Sequence, residues 1–219
     1  MGRTARVKVC GLTRERDLHA AVDAGADALG VITDVPVDTP REVAIDRAAT
    51  LVSEAPPFVS TVLVTMPDGV EAAVDLVDRV APDAIQIHGG LDAEQVAELR
   101  EHVPVAVIRA VDATDPTDAR RFDGVADGLL VDSVREDGGG GTGRTHDWNR
   151  TREVVREAST PVVLAGGLTP ENVGTAIITA KPYAVDVASG VEHSGGEKDH
   201  DAVRAFVAAA RDASRRVEA

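Results

Sequence analysis

Residues 84–89 read AIQIHG. In an extended chain successive side chains point to opposite faces, so Ile85 and Ile87 share one face and Gln86 and His88 the other. That split decides between two architectures. A strand in an open parallel sheet, covered by helices on both sides, is apolar on both faces. A strand in a closed barrel is apolar outside, under the helices, while its inner face can turn polar near the barrel mouth. AIQIHG has the second pattern.

The pattern recurs in both directions along the chain. Lys8 and Cys10 oppose Val9, and Asp132 opposes Leu129 and Val131. Asp186 opposes Val185 and Val187, and the alternation is read as setting Arg109 against Ile108. Strand-like and helix-like segments alternate throughout. VKVCGL (7–12) precedes RERDLHAAVDAGA, ALGVIT (28–33) precedes AIDRAATLVSEA, and FVSTVLV (58–64) precedes DGVEAAVDLVDRV. AIQIHG precedes DAEQVAELREHV, VAVIRAV (105–111) precedes a short stretch ending DARRF, and GLLVDS (128–133) precedes WNRTREVVREAS. PVVLAGG (161–167) precedes PENVGTAIITA, and AVDVASG (184–190) precedes HDAVRAFVAAARDAS. Strands joined by helical crossovers form a parallel sheet. Eight such units with no Pro/Gly/Ser linker between them predict an α/β chain folded as a single (β/α)8 TIM barrel domain over residues 1–219. A doubly wound open sheet is the alternative.

Composition bounds the function. The 219 residues carry a formal net charge of −14, with 37 acidic against 23 basic side chains. Lysine occurs only at Lys8, Lys181 and Lys198, and aromatic residues make up 2%. A field this negative repels nucleic acid and anionic membrane surfaces, and it keeps a protein dispersed in concentrated salt. The reading is a salt-adapted protein. No apolar run approaches the ~20 residues of a membrane span, no secretory signal is visible, and one cysteine makes no internal disulfide. A cytoplasmic location is expected.

In this barrel the active site lies at the C-terminal ends of the strands. Cys10, His88, Asp132 and Asp186 all come late in theirs. Cys10, the single cysteine, is either a small core residue or a reagent activated by a cation such as Lys8. Asp132 follows three apolar residues, a setting in which a carboxyl group can act as a general acid. Otherwise it is a turn residue. The glycine-rich stretches GGGGTGRT, LAGGL and VASGVE follow the sixth, seventh and eighth strands. Such turns present backbone N–H groups to phosphate. Arg41, in the loop after the second strand, has the fork that pairs with a carboxylate. His88 has no metal-binding spacing around it, so no metal is expected.

In order, KVCGLT, TPREV, IQIHGG, LLVDS, GGTGRTHDW, LAGGLTPENV and DVASGVE resemble the phosphoribosylanthranilate isomerase family of tryptophan biosynthesis. The resemblance spans nearly the whole chain. It implies an Amadori rearrangement of N-(5-phosphoribosyl)anthranilate to 1-(2-carboxyphenylamino)-1-deoxyribulose 5-phosphate, with no cofactor. It also implies Asp132 as general acid and Cys10 as general base, with Arg41 facing the anthranilate carboxylate. Gly143, Gly166, Gly167, Ser189 and Gly190 match the phosphate site, and His88 and Asp186 match further polar positions. One departure is Ala188, where the family motif has serine. The implied partner is the small-molecule substrate, with the chain a monomer or homodimer. A related phosphosugar isomerase or epimerase, or a non-catalytic phosphate-ligand sensor, are the alternatives.

Overall fold

A computed structural model describes residues 5–132 and 146–218. Strands β1 (Arg6–Val9), β2 (Ala28–Ile32), β3 (Ser60–Thr65), β4 (Ala84–Ile87), β5 (Ala106–Asp112), β6 (Gly128–Asp132), β7 (Val162–Leu164) and β8 (Ala184–Val187) close a parallel barrel in sequence order. Closure is direct: in β1, Lys8 stands beside Ala28 of β2 on one side and Asp186 of β8 on the other. The crossovers are α1 (Glu15–Asp23), α2 (Ile45–Ser53), α3 (Val70–Val80), α4 (Ala93–His102), α5 (Pro116–Phe122), α6 (Trp148–Glu157) and α7 (Val173–Ala180), with α8 (His200–Glu218) after the last strand. Between β8 and α8 the chain makes a 3₁₀ turn (Ser189–Val191) and an antiparallel hairpin, β9 (Glu192–Ser194) with β10 (Glu197–Lys198). The closed barrel is the predicted fold.

The helices form where apolar residues recur at helical spacing. In α3, Ala73, Leu76, Val77 and Val80 make one buried stripe. The start of α4 is fixed by a reciprocal cap: Asp92 accepts from the Gln95 N–H, and Gln95 accepts from the Asp92 N–H, both at 3.0 Å. At the opposite end of the barrel from the site, three aspartates repeat one role. Asp27, Asp83 and Asp127, each just before an even-numbered strand, accept from the N–H of Val7, Thr61 and Val107 near the start of the preceding odd one, at 2.7, 2.7 and 2.9 Å. Part of the acidic excess is thus structural. Conserving strand starts this way stabilises the face away from the chemistry.

The core lies in two layers. Val7, Val9, Leu29, Val31, Leu63, Leu164, Val185 and Val187 pack outward under the helices, and Ile85, Ile87, Leu129 and Val131 continue that layer. Inside the barrel, Cys10, Val62, Val64 and Ala84 form one small cluster and Ala110, Leu130 and Ala165 another. Strand β5 reverses the expected phase. Ile108 and Ala110 point inward and Val107 and Val111 outward, so Arg109 lies on the outer side. Its guanidinium lies over the Phe122 ring of α5, 4.5 Å from the centroid, and donates to the carbonyls of Ile87 and Gly89. A planar cation stacked on an aromatic ring is accommodated under a helix where an ammonium would not be. Among the described residues no helix is long and apolar enough to cross a membrane.

Candidate active site

The C-terminal ends of the strands surround a partly open, mostly apolar cavity, the kind of concave site that takes one small organic ligand. Its lining includes Cys10, Arg41, His88, Asp132, Gly166, Gly167, Asp186, Ser189 and Gly190. These are all the candidate residues picked from the sequence except Gly143, which lies outside the described residues. The barrel brings them together because all but Arg41 end a strand or follow one closely; Arg41 comes from the far end of the loop after β2.

One wall is polar. Cys10 follows β1, with its N–H bonded to the Val187 carbonyl at 2.8 Å, and its side chain is 5% exposed. Burial pushes its thiol above the ordinary range; Lys8 pulls it back, Asp186 pushes it further up, and Lys198 pulls it down. Two residues below, Lys8 donates to Asp186 Oδ1 at 3.0 Å, both side chains being buried. Burial works against the Lys8 charge, but the Asp186 carboxylate and the Cys10 sulfur hold its proton more tightly than an ordinary lysine's. A fixed ammonium beside a buried thiol favours the thiolate at the moment a proton is transferred.

Across the mouth, Asp132 ends β6 and is 5% exposed. His88 Nε2 stands 3.9 Å from Asp132 Oδ2. This is not an ion pair at neutral pH: burial, with Lys8 and Arg109 adding repulsion, draws His88 down to about 4. His88 therefore faces Asp132 as a neutral imidazole. Gln86, 2% exposed, joins this wall from β4.

The glycine loops form a second wall. Gly166 and Gly167 take positive φ values of 85° and 62°, so their backbone turns sharply after β7. Among the described residues no acceptor takes either N–H. Gly190, in the 3₁₀ turn after β8, packs so tightly on this loop that a Cβ there would stand 1.8 Å from the Leu168 carbonyl oxygen. Ser189 begins the same turn. Two adjacent backbone turns with open N–H groups are an anion cradle.

The third wall is apolar with one cation. Ile32, Val35, Val37, Val64, Met66 and Leu168 line it. The loop after β2 folds back along its own strand, with Val43 N–H on the Ile32 carbonyl and Thr33 Oγ1 on the Val43 carbonyl. That fold-back sets Arg41 at the rim, where it forms a two-point pair with Glu192 at 2.9 and 2.7 Å. Lys198 Nζ reaches the same carboxylate at 2.8 Å.

Glu192 and Lys198 were not among the candidate residues. A signal for Lys198 was present: in a chain with three lysines, two of them, Lys8 and Lys198, are buried at this site. Lysine is otherwise rare in this chain, so its two buried copies stand out. Glu192 closes the quoted motif DVASGVE, but as one of 37 acidic residues it was not singled out. Among the described residues no group of three or more His, Cys, Asp or Glu side chains is placed to hold a metal ion.

The comparisons with known proteins converge on one family. A family model described as N-(5'phosphoribosyl)anthranilate (PRA) isomerase matches residues 7–209. The N-(5'-phosphoribosyl)anthranilate isomerase of Halobacterium salinarum, a halophilic archaeon, is 60% identical over 208 residues, covering 94% of this chain and 95% of the relative. Among solved structures, phosphoribosyl anthranilate isomerase from Thermotoga maritima superposes with a TM-score of 0.84 at 35% identity, covering 95% of this chain and 99% of that one. A phosphoribosyl anthranilate isomerase in complex with reduced 1-(o-carboxyphenylamino)-1-deoxyribulose 5-phosphate superposes with a TM-score of 0.79 at 33% identity, with coverage of 95% and 99%. With the closed barrel, the thiol and carboxyl group at its mouth and the match from the first strand into the last helix, the chain belongs to the phosphoribosylanthranilate isomerase family.

Proposed function

We propose that this chain, acting as one barrel domain on a small-molecule substrate, catalyses the Amadori rearrangement of N-(5-phosphoribosyl)anthranilate. The observation that carries the reading is the shared cavity. A buried thiol next to an ammonium, a buried carboxyl group, an anion cradle and an arginine line the same space. The substrate needs each of these: a base, an acid, a phosphate site and a carboxylate site. The neighbour bound to the reduced product analogue supports a ligand of this class in such a barrel.

In this reading Asp132 protonates the ribose ring oxygen. The C1–O bond breaks as the anthranilate nitrogen lone pair forms a Schiff base. Cys10, as thiolate, removes the proton from C2; the electrons of that C–H bond form the C1=C2 double bond, and the π electrons of the C=N bond move to the iminium nitrogen to give an enolamine. Transfer of a proton to C1 and loss of the C2 hydroxyl proton then yield the ketone. The substrate's own iminium takes up the electrons. Lys8 steadies the thiolate and Asp186 holds Lys8 in place. Neutral His88 keeps a second positive charge away from Asp132. The loops at Gly166–Gly167 and Ser189–Gly190 hold the phosphate, and Arg41 meets the anthranilate carboxylate while Val35, Val37 and Met66 cover its ring.

The test is turnover of phosphoribosylanthranilate, followed by loss of its fluorescence. Turnover abolished by Cys10→Ser and by Asp132→Asn supports the reading. An inactive wild-type protein, or a fully active Cys10→Ser variant, overturns it.

A further inference from the structure

Arg41 lines the cavity, yet its guanidinium is already engaged. Nε donates to Glu192 Oε1 at 2.9 Å and Nη2 to Oε2 at 2.7 Å. A guanidinium has five N–H donors, and among the described residues no acceptor takes those on Nη1. An isolated Arg–Glu pair is neutral, however, and a neutral pair attracts a substrate anion weakly. The third member of the cluster alters that balance. Lys198 Nζ is completely buried, 2.8 Å from Glu192 Oε1 and 3.1 Å from the Ala188 carbonyl oxygen. Two cations share one carboxylate, which leaves one positive charge in excess at the rim.

We propose that Glu192 and Lys198 are positioning residues that set carboxylate specificity: Glu192 fixes the plane of the Arg41 guanidinium, and Lys198 offsets the Glu192 charge so that Arg41 keeps its attraction for the substrate carboxylate. The proposal rests on the reading that this cavity binds phosphoribosylanthranilate. The scaffold supports it. Both residues lie on the β9–β10 hairpin, which is tied down away from the cavity. The Lys198 N–H bonds to Asp17 Oδ2 at 3.2 Å, and Thr13 Oγ1 donates to the Gly196 carbonyl at 2.7 Å. Asp17 is fully buried and also accepts from Arg14 and His200. The hairpin thus holds a carboxylate and an ammonium at fixed distance from Arg41. Burial has a further consequence for a chain of net charge −14. In molar salt, where the Debye length is ~3 Å, exposed charges lose most of their pull. A buried ammonium is shielded from bulk ions and keeps its effect.

The experiment compares two inhibitors on purified protein: reduced 1-(2-carboxyphenylamino)-1-deoxyribulose 5-phosphate and its phenyl counterpart without the carboxylate. For Lys198→Met we expect binding of the carboxylate inhibitor to weaken by about 30-fold or more, the lower end of the cost of losing one partner of a buried charge pair. Binding of the phenyl inhibitor should stay within about threefold, and KM should rise more than kcat falls. In an Arg41→Gln background the same change should cost little further selectivity, because Lys198 acts through Arg41. Lys198→Arg should restore part of the selectivity. If Lys198→Met does not fold, Lys198→Gln, which keeps a donor to Ala188 and drops the charge, takes its place. Equal weakening of both inhibitors, or an undiminished effect in the Arg41→Gln background, would overturn the proposal. Wild-type protein that turns over phosphoribosylanthranilate while the variants lose no selectivity sinks only the role of Lys198. Inactive wild-type protein sinks the assigned reaction instead.

Discussion

The sulfur of Cys10 lies directly over Gly30, so close that a Cβ on Gly30 would stand 2.6 Å from it. The two residues sit on neighbouring strands, and the absent side chain in β2 is the space the thiol occupies. Gly30→Ala should therefore displace the thiol without touching the phosphate loops. We expect kcat to fall by about 10–100-fold, as for an ångström-scale misplacement of a reacting group. Alkylation of Cys10 should change in rate in the same variant. Unaltered kcat in a folded Gly30→Ala protein would mean that the sulfur position has no bearing on catalysis.

Replacing the proposed base and acid themselves should cost more. Cys10→Ser and Asp132→Asn preserve shape and remove a usable base and a transferable proton. Each should lower kcat by ~10²–10⁴-fold, with KM changed much less. Gly167→Val, in contrast, should raise KM, since the residue sits at φ +62° in the loop assigned to phosphate. Steady-state kinetics on the three variants separate the two patterns.

The Cys10 thiol is pushed up by burial and by Asp186 and pulled down by Lys8 and Lys198. A base must be deprotonated to act, so kcat/KM should rise with pH and the ascending limb should lie above the range of a free thiol. Asp186→Asn removes a group that pushes the thiol up and frees Lys8 from its partner. The ascending limb should then move to lower pH. The same change leaves a buried ammonium unpaired and should destabilise the fold by about 3–5 kcal/mol. A limb that stays in place in Asp186→Asn would remove the thiol as its origin.

His88 shapes acid stability. Burial, Lys8 and Arg109 hold it at about 4 in the folded protein, against 6.5 for an ordinary histidine. The unfolded chain takes up this proton first as pH falls. The stability from keeping His88 neutral is fully present above pH ~6.5 and is lost between there and pH ~4, by about 3 kcal/mol at one pKa unit per 1.36 kcal/mol. Denaturant titrations of wild type and His88→Gln should show a shallower decline for the variant across that window. Parallel declines would assign the acid sensitivity to other groups.

Salt should stabilise the protein. With a net charge of −14, surface carboxylates repel one another, and raising salt from 0.1 M to 1 M shortens the Debye length from ~10 Å to ~3 Å. The melting midpoint in molar KCl should rise by at least about 2–4 °C, the shift that 1 kcal/mol produces in a chain of this size. A constant or lower midpoint would show that self-repulsion is not what limits stability.

How far the site was legible depended on how local its signal was. Cys10, His88, Asp132 and Asp186 were readable because each is a polar residue ending an apolar strand, and period-2 alternation gives its face. The same logic failed at Arg109, where a polar side chain within VAVIRAV was taken to mark the inner face. The Phe122 ring from α5 gives the guanidinium an outer-layer berth, and nothing in the seven residues of that strand reports a ring that arrives thirteen positions later. The β9–β10 hairpin escaped for a similar reason: its strands are three and two residues long, below the length at which alternation carries information.

What the sequence determined by itself was periodic: eight strands, the helices between them, the polar inner residues of β1, β4, β6 and β8, and the ordered motifs that place the chain in its family. These follow from repeats of two and 3.6 residues, which act over one element at a time. What only the tertiary structure decided were the contacts across the barrel mouth. Lys8 against Asp186, Arg41 against Glu192, and Lys198 against Glu192 are separated by 178, 151 and 6 residues. An ion pair forms wherever closure brings opposite charges together, and neither its partners nor its burial leaves a period in the chain. The charge state of the thiol, the orientation of the arginine and the neutrality of His88 all arise from those contacts, so they became visible only once the barrel was closed.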